Sequence, residues 1–177
     1  MYLSHTPSPV GKLMLASDGR NLCGLWIEGQ KYFALGLTDA TAQENLPVFV
    51  ETENWLNRYF AGEKPKIDEL PLAPAGSEFR QAVWKILRKI PYGQTTTYGK
   101  IADELAHSFG LSRMSAQAVG GAVGHNPISI ILPCHRVVGG DGSLTGYAGG
   151  IEKKIWLLRH EGVNTENLNR PKKGSAL

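Results

Sequence analysis

The chain has 177 residues, 42% of them hydrophobic, which is enough for one medium domain or two small ones with packed cores. Two distant cysteines, Cys23 and Cys134, exclude a disulfide framework, and the lack of any run of about 18 apolar residues excludes a transmembrane helix. The net charge of +3 conceals a basic second half, with 10 Lys and Arg against 6 Asp and Glu in residues 78–163, which is compatible with nucleic-acid binding but does not require it.

The first predicted elements are two short strands near the N-terminus. Leu13–Ala16 and Leu22–Ile27 are apolar and flank a turn at residues 17–21, which predicts a hairpin. A helix that ends at Gly62 is predicted from the helical spacing of Trp55, Leu56, Tyr59 and Phe60. The stretch that follows is rich in Pro and charge, so we place a linker around residues 70–76. The N-terminus has no secretory signal pattern, and we expect a cytoplasmic protein.

Three helices are predicted at the start of the basic half. Ser77 has an N-cap side chain, and the apolar spacing after it predicts a helix that stops at Pro91 to Gly93. A second helix is predicted over residues 98–107, and a third over residues 113–123 after a short turn. Helix, short turn and helix form the outline of a DNA-reading unit.

The third predicted helix is crowded with small residues: Ala116, Ala118, Gly120, Gly121, Ala122 and Gly124. Each interior glycine costs a helix about 1 kcal/mol relative to alanine, so something must approach this backbone closely. Two interpretations remain open, tight packing on a neighbouring helix and a bare face that enters a DNA groove. The two can share one helix through opposite faces.

A cysteine followed directly by a histidine lies farther along. The apolar run Ile128–Leu132 is predicted to be a buried strand that ends at Pro133, Cys134 and His135. A free cysteine is more often a small buried hydrophobe than a nucleophile. A reactive thiol needs a partner that stabilises the thiolate, and a neighbouring histidine oriented by a carboxylate supplies one.

The last predicted helix spans Ile151–His160, with Ile151, Ile155 and Leu158 facing inward. Glu161 follows this helix, and its carboxylate could orient His135. The polar, basic residues 164–177 are predicted to form a flexible tail. We therefore divide the chain into an N-terminal domain of residues 1–76, a second domain of residues 77–163 and the tail.

Several short motifs occur in order through the second half. They are Phe79 with Val83-Trp84, Ile90-Pro91-Tyr92-Gly93, Tyr98-Gly99, Ala118-Val119-Gly120, Asn126-Pro127, Pro133-Cys134-His135-Arg136-Val137, Trp156-Leu157-Leu158 and His160-Glu161-Gly162. In this order they resemble the O6-alkylguanine-DNA alkyltransferases over residues 77–163, and the N-terminal part resembles the family loosely. So long an ordered series is far more specific than a single motif.

The resemblance implies an α/β (α+β) fold with an N-terminal ribonuclease-H-like sheet domain and a C-terminal helical domain that carries a winged-helix-like helix-turn-helix. It implies direct-reversal DNA repair by a monomer, which binds double-stranded DNA in the minor groove and flips out O6-alkylguanine. The alkyl group then moves irreversibly to Cys134, in a single-turnover methylated-DNA–protein-cysteine S-methyltransferase reaction. Activity on O4-alkylthymine stays open. No cofactor is implied, and the histidines lack metal-ligand spacing.

The resemblance also implies roles for the site residues. Cys134 is the alkyl acceptor, activated through a water by His135, which Glu161 orients. Tyr98 would donate its phenolic proton to N3 of guanine. Asn126 resembles the family's hinge asparagine, although an Asn before Pro at a helix end also has a purely structural interpretation.

The base pocket is implied to be lined by Val137, Tyr147 and Ala148. The carbonyls of Cys134 and Val137 would accept from the guanine amino group, and the Ala148 N–H would lie on the other side. We interpret Arg136 as structural, tying strand to helix. Cys23 and the tryptophans are predicted to be structural or core residues.

DNA contacts are expected before the second helix and along the third, from Thr95, Thr96, Arg113, Ser115, Ala116, Gln117 and Gly120. Hydroxyls and backbone N–H groups ahead of a helix suit phosphate. Gln117 stands where many family members have an arginine that fills the gap left by the extruded base, and glutamine lacks the planar cation. Arg113, one turn earlier on the predicted helix, could restore the charge.

Three other functions fit the sequence less well. A non-catalytic alkyltransferase-like lesion-binding protein would share the fold but lacks the acceptor cysteine, and here Cys134 is present. A cysteine hydrolase is disfavoured because adjacent strand residues point to opposite faces and no oxyanion motif is recognisable. A transcription factor with a vestigial site would need little of this ordered pattern.

Overall fold

The computed structural model describes residues 1–170, which form two compact units. The first unit comprises Met1–Ala75 and the short segment Pro127–Ile131, and the second comprises Gly76–Asn126 and the chain from Leu132 onward. The sequence predicted an uninterrupted second domain over residues 77–163, whereas in the structure Pro127–Ile131 belongs to the first unit. The cause is backbone pairing, because Leu25 N donates to Pro127 O and Ser129 N donates to Leu25 O, both at 2.8 Å.

The first unit is built on a four-stranded sheet. Its strands are β1 (Tyr2–Thr6), β2 (Leu13–Ser17), β3 (Leu22–Ile27) and β4 (Thr41–Ala42), in the order β3-β2-β1-β4. The β1–β2 and β2–β3 pairs are antiparallel, and β4 is parallel to β1. The predicted hairpin is confirmed as β2–β3, whereas β1, which mixes polar and apolar residues, was not predicted.

One helix, α1 (Pro47–Phe60), packs on β2 and β3. It begins with Pro at its first position, where a missing backbone N–H costs nothing. Its inward face buries Phe49, Trp55, Leu56 and Tyr59. The helix predicted before Gly62 is therefore confirmed, and its N-terminal half extends farther than the sequence indicated.

The strand predicted over Ile128–Leu132 is wrong. Only Ile128 forms a bridge, to Leu25, and the residues after it turn. Ile130 adopts φ +71°, a left-handed conformation that is uncommon for a β-branched residue. The run is apolar because this turn is buried, with Ile128, Ile130 and Ile131 at most 1% exposed, and burial alone cannot distinguish a turn from a strand.

The second unit contains four helices and a two-stranded sheet. The helices are α2 (Glu78–Leu87), α3 (Tyr98–Ser108), α4 (Ala116–Gly124) and α5 (Ile151–His160), and the sheet pairs β5 (Thr96–Thr97) with β6 (Val137–Val138) in parallel. Helices α2, α3 and α4 pack on one another, while α5 buries Ile155 and Leu158 against Val138 and Leu144. The predicted helices are confirmed, although α4 begins three residues later than predicted.

Side-chain caps fix where α2, α3 and α4 begin. Ser77 accepts from Arg80 N, Thr97 from Lys100 N and Ser115 from Ala118 N. Because Ser115 is the N-cap of α4, Arg113 precedes the helix and does not lie one turn before Gln117 on its face. The proposed compensation by Arg113 therefore loses its geometric basis.

Residues 164–177 were predicted to form a flexible tail, but in residues 164–170 the chain is held by specific contacts. Leu144 N donates to Asn169 O and Asn169 N to Gly142 O, both at 2.9 Å, and Arg170 pairs with Glu152. Residues 171–177 lie outside the described residues. Within residues 1–170, every helix is too short or too polar to cross a bilayer.

Candidate active site around Cys134

Cys134 opens a single 3-10 turn, Cys134–Arg136, and is 4% exposed. Its Sγ accepts a hydrogen bond from Asn126 Nδ2 at 3.1 Å, and the same amide donates to Leu132 O at 2.8 Å. Asn126 follows the end of α4, so this helix positions the amide against the thiol. The structure therefore brings the predicted hinge asparagine and the predicted acceptor into contact.

The environment of Cys134 holds the proton on the thiol. Burial raises its pKa, and the Asn126 amide and the Lys154 ammonium oppose that rise only in part. A buried thiol of this kind is a poor nucleophile until a base removes its proton. The chemistry of the site thus depends on a base nearby.

His135 is the base that the geometry offers. Its Nε2 lies 2.8 Å from Glu161 Oε1, and both side chains are fully buried. A carboxylate partner fixes Nε2 as the donor, so the neutral ring has its lone pair on Nδ1. Within the described part of the chain Nδ1 is buried without a hydrogen-bond partner, and burial lowers the pKa of the imidazole. His135 is therefore neutral and able to accept a proton at Nδ1.

Glu161 accepts hydrogen bonds on both carboxylate oxygens. Oε1 accepts from His135 Nε2 and from Arg136 Nη2 at 2.9 Å, and Oε2 accepts from Arg136 Nε at 2.8 Å and from Gly93 N at 3.0 Å. Burial alone would raise the pKa of this carboxyl, but the hydrogen bonds from His135 and Arg136 outweigh it and hold the pKa well below its usual range. Glu161 is thus an ionised carboxylate at neutral pH.

Arg136 and Gly93 join the site through Glu161. Arg136 also donates to Ile90 O at 2.6 Å. Its buried guanidinium therefore links the Glu161 carboxylate to the loop that follows α2. Gly93 has φ +75°, and a Cβ there would lie 2.8 Å from Glu161 O. Arg136 was interpreted from the sequence as a structural link, but its contact with Glu161 was not predicted.

Tyr98 is the first residue of α3, and its hydroxyl donates to Thr145 O at 2.8 Å. Burial raises the pKa of this phenol, so it remains a proton donor at neutral pH. The Thr145 carbonyl also accepts from Lys154 Nζ at 3.0 Å.

Lys154 was not predicted as a site residue. The available signal was its spacing, because residues 151, 154, 155 and 158 lie on one helical face, and Lys154 is the charged member of that apolar set.

Tyr147, Val137 and Ala148, predicted to line the base pocket, occupy different environments. The Tyr147 ring meets the His135 ring edge-on at 6.4 Å between centroids, and its buried hydroxyl has no hydrogen-bond partner among residues 1–170. Val137 is fully buried in β6, next to the Cys134–Arg136 turn, and Ala148 is half-buried. The Tyr147 hydroxyl can therefore donate a hydrogen bond to a bound ligand.

The predicted DNA contacts lie mostly on exposed surface. Thr95, Arg113, Ser115, Ala116 and Gln117 are exposed, and Thr96 is half-buried in β5. Gly120 is the exception.

Gly120 is buried, and a Cβ at this position would lie 3.8 Å from the Tyr98 ring. Ala116 and Gly120 are four residues apart and lie on the same side of the helix, so the opposite-face arrangement is not observed. The first turn, with Ala116 and Ala118, is exposed, and the helix is mainly buried from Val119 onward.

The tryptophans do not all lie in the core. Trp84 is buried and donates through Nε1 to Ala122 O at 3.0 Å. Trp156 is 37% exposed and stacks on His160, so its predicted core position is wrong. Among the described residues, no group of three or more His, Cys, Asp or Glu side chains is arranged to hold a metal ion.

A buried thiol next to a histidine–carboxylate pair, in a unit whose helices α3 and α4 are joined by a short turn, is the arrangement expected of a DNA-binding protein that uses a cysteine nucleophile. The family model described as 6-O-methylguanine DNA methyltransferase, DNA binding domain, matches residues 78–163, and the model described as its ribonuclease-like domain matches residues 1–74. The chain belongs to the 6-O-methylguanine DNA methyltransferase family, which confirms the resemblance and the two-domain fold.

Individual relatives match over nearly the whole chain. A methylated-DNA–protein-cysteine methyltransferase of Haemophilus influenzae is 42% identical over 163 residues, covering 92% of this chain and 87% of the relative. One from Methanosarcina acetivorans is 42% identical, covering 92% and 99%. The crystal structure of Mycobacterium tuberculosis OGT in complex with DNA superposes with a TM-score of 0.79 at 41% identity, over 95% of each chain.

Proposed function

We propose that this protein repairs DNA by moving a methyl or larger alkyl group from O6 of guanine onto its own Cys134. The observation that carries the proposal is the contact of His135 Nε2 with Glu161 beside the buried Cys134, within a DNA-binding domain. The activity named for its relatives is the same. A lesion-binding protein without chemistry has no use for an acceptor thiol, so that alternative is not favoured.

The first chemical step is removal of the Cys134 proton. His135 Nδ1 takes it through a bridging water, and Glu161 stabilises the resulting imidazolium. The thiolate then attacks the alkyl carbon in line, the S–C bond forms, and the C–O bond breaks with its electron pair passing to the guanine oxygen. The product is a thioether on Cys134.

Tyr98 assists departure of the base. As negative charge develops on guanine, the phenol gives its proton to N3, which makes the base a better leaving group. The Tyr98 hydroxyl donates to Thr145 O in the unbound protein, so it exchanges that partner for the base. The carbonyls of Cys134 and Val137 accept from the guanine amino group, and Tyr147 and Ala148 line the opposite side.

DNA binding is assigned to the exposed start of α4 and the residues before α3. Ser115 and Ala116 are small and exposed, which lets this end of the helix approach the minor groove closely. Thr95 and Thr96 contact phosphate, and Gln117 inserts where the damaged nucleotide has swung out. Extrusion is needed because the alkylated oxygen lies within the base stack. The protein acts as a monomer without a cofactor.

A thioether is a dead-end product, so each molecule acts once. The test is titration of the protein with duplex DNA that contains a single O6-methylguanine, followed by counting the lesions removed. Repair should stop at one lesion per protein molecule, however long the incubation. Removal of several lesions per molecule would refute transfer to the protein itself.

A further inference from the structure

Lys154 is the fully buried lysine of α5, with 0% of its surface exposed. Removing an ammonium from water is costly unless its hydrogen bonds are replaced, and lysines are almost never fully buried without partners. No carboxylate within residues 1–170 forms an ion pair with it. A buried charge held in this way indicates a role other than general stability.

The partners of Lys154 are two backbone carbonyls. Its Nζ donates to Val137 O at 2.5 Å and to Thr145 O at 3.0 Å. Val137 directly follows the turn that begins at Cys134, and Thr145 O is the acceptor of the Tyr98 hydroxyl. One ammonium therefore connects the chain beside the thiol to the chain beside the phenol.

We propose that Lys154 is a positioning residue that holds the Val137 carbonyl where it accepts the amino group of the bound guanine. This inference rests on the proposed function. The second bond, to Thr145 O, fixes the ammonium in place. It also leaves this part-buried carbonyl with a hydrogen-bond donor when the Tyr98 hydroxyl turns to the base.

The charge of Lys154 is consistent with this role. Burial lowers its pKa to about 8, and the neighbouring Cys134 opposes the decrease, so the group is mainly an ammonium at neutral pH. Its charge in turn lowers the pKa of the Cys134 thiol. Loss of the ammonium should therefore also slow transfer in a way that does not depend on the amino group of the base.

The test compares two free bases, O6-benzylguanine and O6-benzylhypoxanthine, which lacks the amino group. Single-turnover rates of benzyl transfer to Cys134 are measured for the wild type and for Lys154→Met, which keeps the chain length but has no donor. Lys154→Met should slow transfer from benzylguanine by about tenfold more than transfer from benzylhypoxanthine, because the second base has no contact for Val137 to lose. Equal factors for both bases would overturn the proposal.

Two control variants separate positioning from general damage. Leu158→Ala removes a buried apolar side chain from the same face of α5, and it should change both rates by the same factor. Lys153→Met removes a lysine from the adjacent, half-buried position, and both rates should stay unchanged.

The wild type provides a test that does not depend on the folding of any variant. It should transfer benzyl faster from benzylguanine than from benzylhypoxanthine, and equal wild-type rates would also overturn the proposal. Failure of the wild type to take up methyl from duplex DNA containing O6-methylguanine would instead refute the proposed function.

Discussion

At the scale of single residues, the site is organised around the Glu161 carboxylate, which accepts four hydrogen bonds. Glu161 fixes the tautomer of His135 and neutralises the buried Arg136 guanidinium. Removing one partner of such a buried pair leaves an uncompensated charge, which costs about 3–5 kcal/mol. We therefore expect Glu161 to contribute both to the proposed reaction and to folding.

Glu161→Gln should reduce stability and also change how stability depends on pH. Because the pKa of Glu161 is lower in the folded protein than its usual value of 4.5, the folded state binds fewer protons. Its contribution is complete above the unfolded pKa and is lost as pH falls towards the folded value. The free energy of unfolding in urea should thus fall from about pH 6 to about pH 3 more steeply for the wild type than for Glu161→Gln.

Exposed Glu152 on α5 offers the matched control. Its replacement by Gln should leave the acid dependence of unfolding close to that of the wild type. Parallel pH curves for Glu161→Gln and the wild type would contradict the assignment of a depressed pKa to Glu161.

We propose that Gln117 determines how readily the protein extrudes a base. It is exposed as the second residue of α4, and it lacks the planar cation of an arginine. If extrusion limits the rate, Gln117→Arg should speed single-turnover transfer from duplex DNA by several-fold, because a stacked guanidinium offsets an unpairing cost of a few kcal/mol. Gln117→Ala should slow it.

The free base O6-benzylguanine provides the control, since it needs no extrusion. Both Gln117 variants should react with it at the wild-type rate. Equal proportional changes with duplex and free base would mean that Gln117 acts on the pocket rather than on extrusion.

At the scale of elements, α4 separates packing from the surface offered to DNA along its length, with an exposed first turn and a buried remainder. Gly120 lies against the Tyr98 ring, whereas Ala116 and Ala118 are exposed. The two interpretations of the small-residue helix are therefore compatible. Gly120 packs beside Tyr98, and we propose that the exposed first turn approaches the groove.

Ala116→Arg should weaken binding to duplex DNA by about tenfold, although it adds a positive charge. A long side chain at this position prevents close approach of the helix. Gln43→Arg adds the same charge at an exposed position of the first unit and should leave the affinity unchanged or slightly higher. Fluorescence anisotropy at one fixed salt concentration measures both. Tighter binding and undiminished repair by Ala116→Arg would contradict the close-approach assignment.

The elements also show what sequence patterns can determine. Helix α5 was predicted with its observed bounds, because apolar spacing and a following glycine are local signals. The run Ile128–Leu132 was predicted as a strand and is a buried turn. Continuous apolarity reports burial, and burial depends on the partners that the rest of the fold supplies.

At the scale of the whole molecule, family motifs predicted the central contacts well. Cys134, His135 and Glu161 were expected together, and the structure places the His135 and Glu161 side chains in hydrogen-bond contact. The contacts of Arg136, Gly93 and Lys154 were not predicted. Each joins residues far apart in the chain through a backbone atom or a buried side chain, and such pairings leave no periodic signal in one sequence.

The most direct test of the central claim is intact-mass measurement after reaction with duplex DNA containing O6-methylguanine. The account predicts a gain of about 14 Da, one methyl group, with peptide mapping that locates it on Cys134. Cys23→Ala should gain the same mass, and Cys134→Ala should bind the lesion DNA and gain none. A methyl group on Cys23, or lesion removal by Cys134→Ala, would contradict the account.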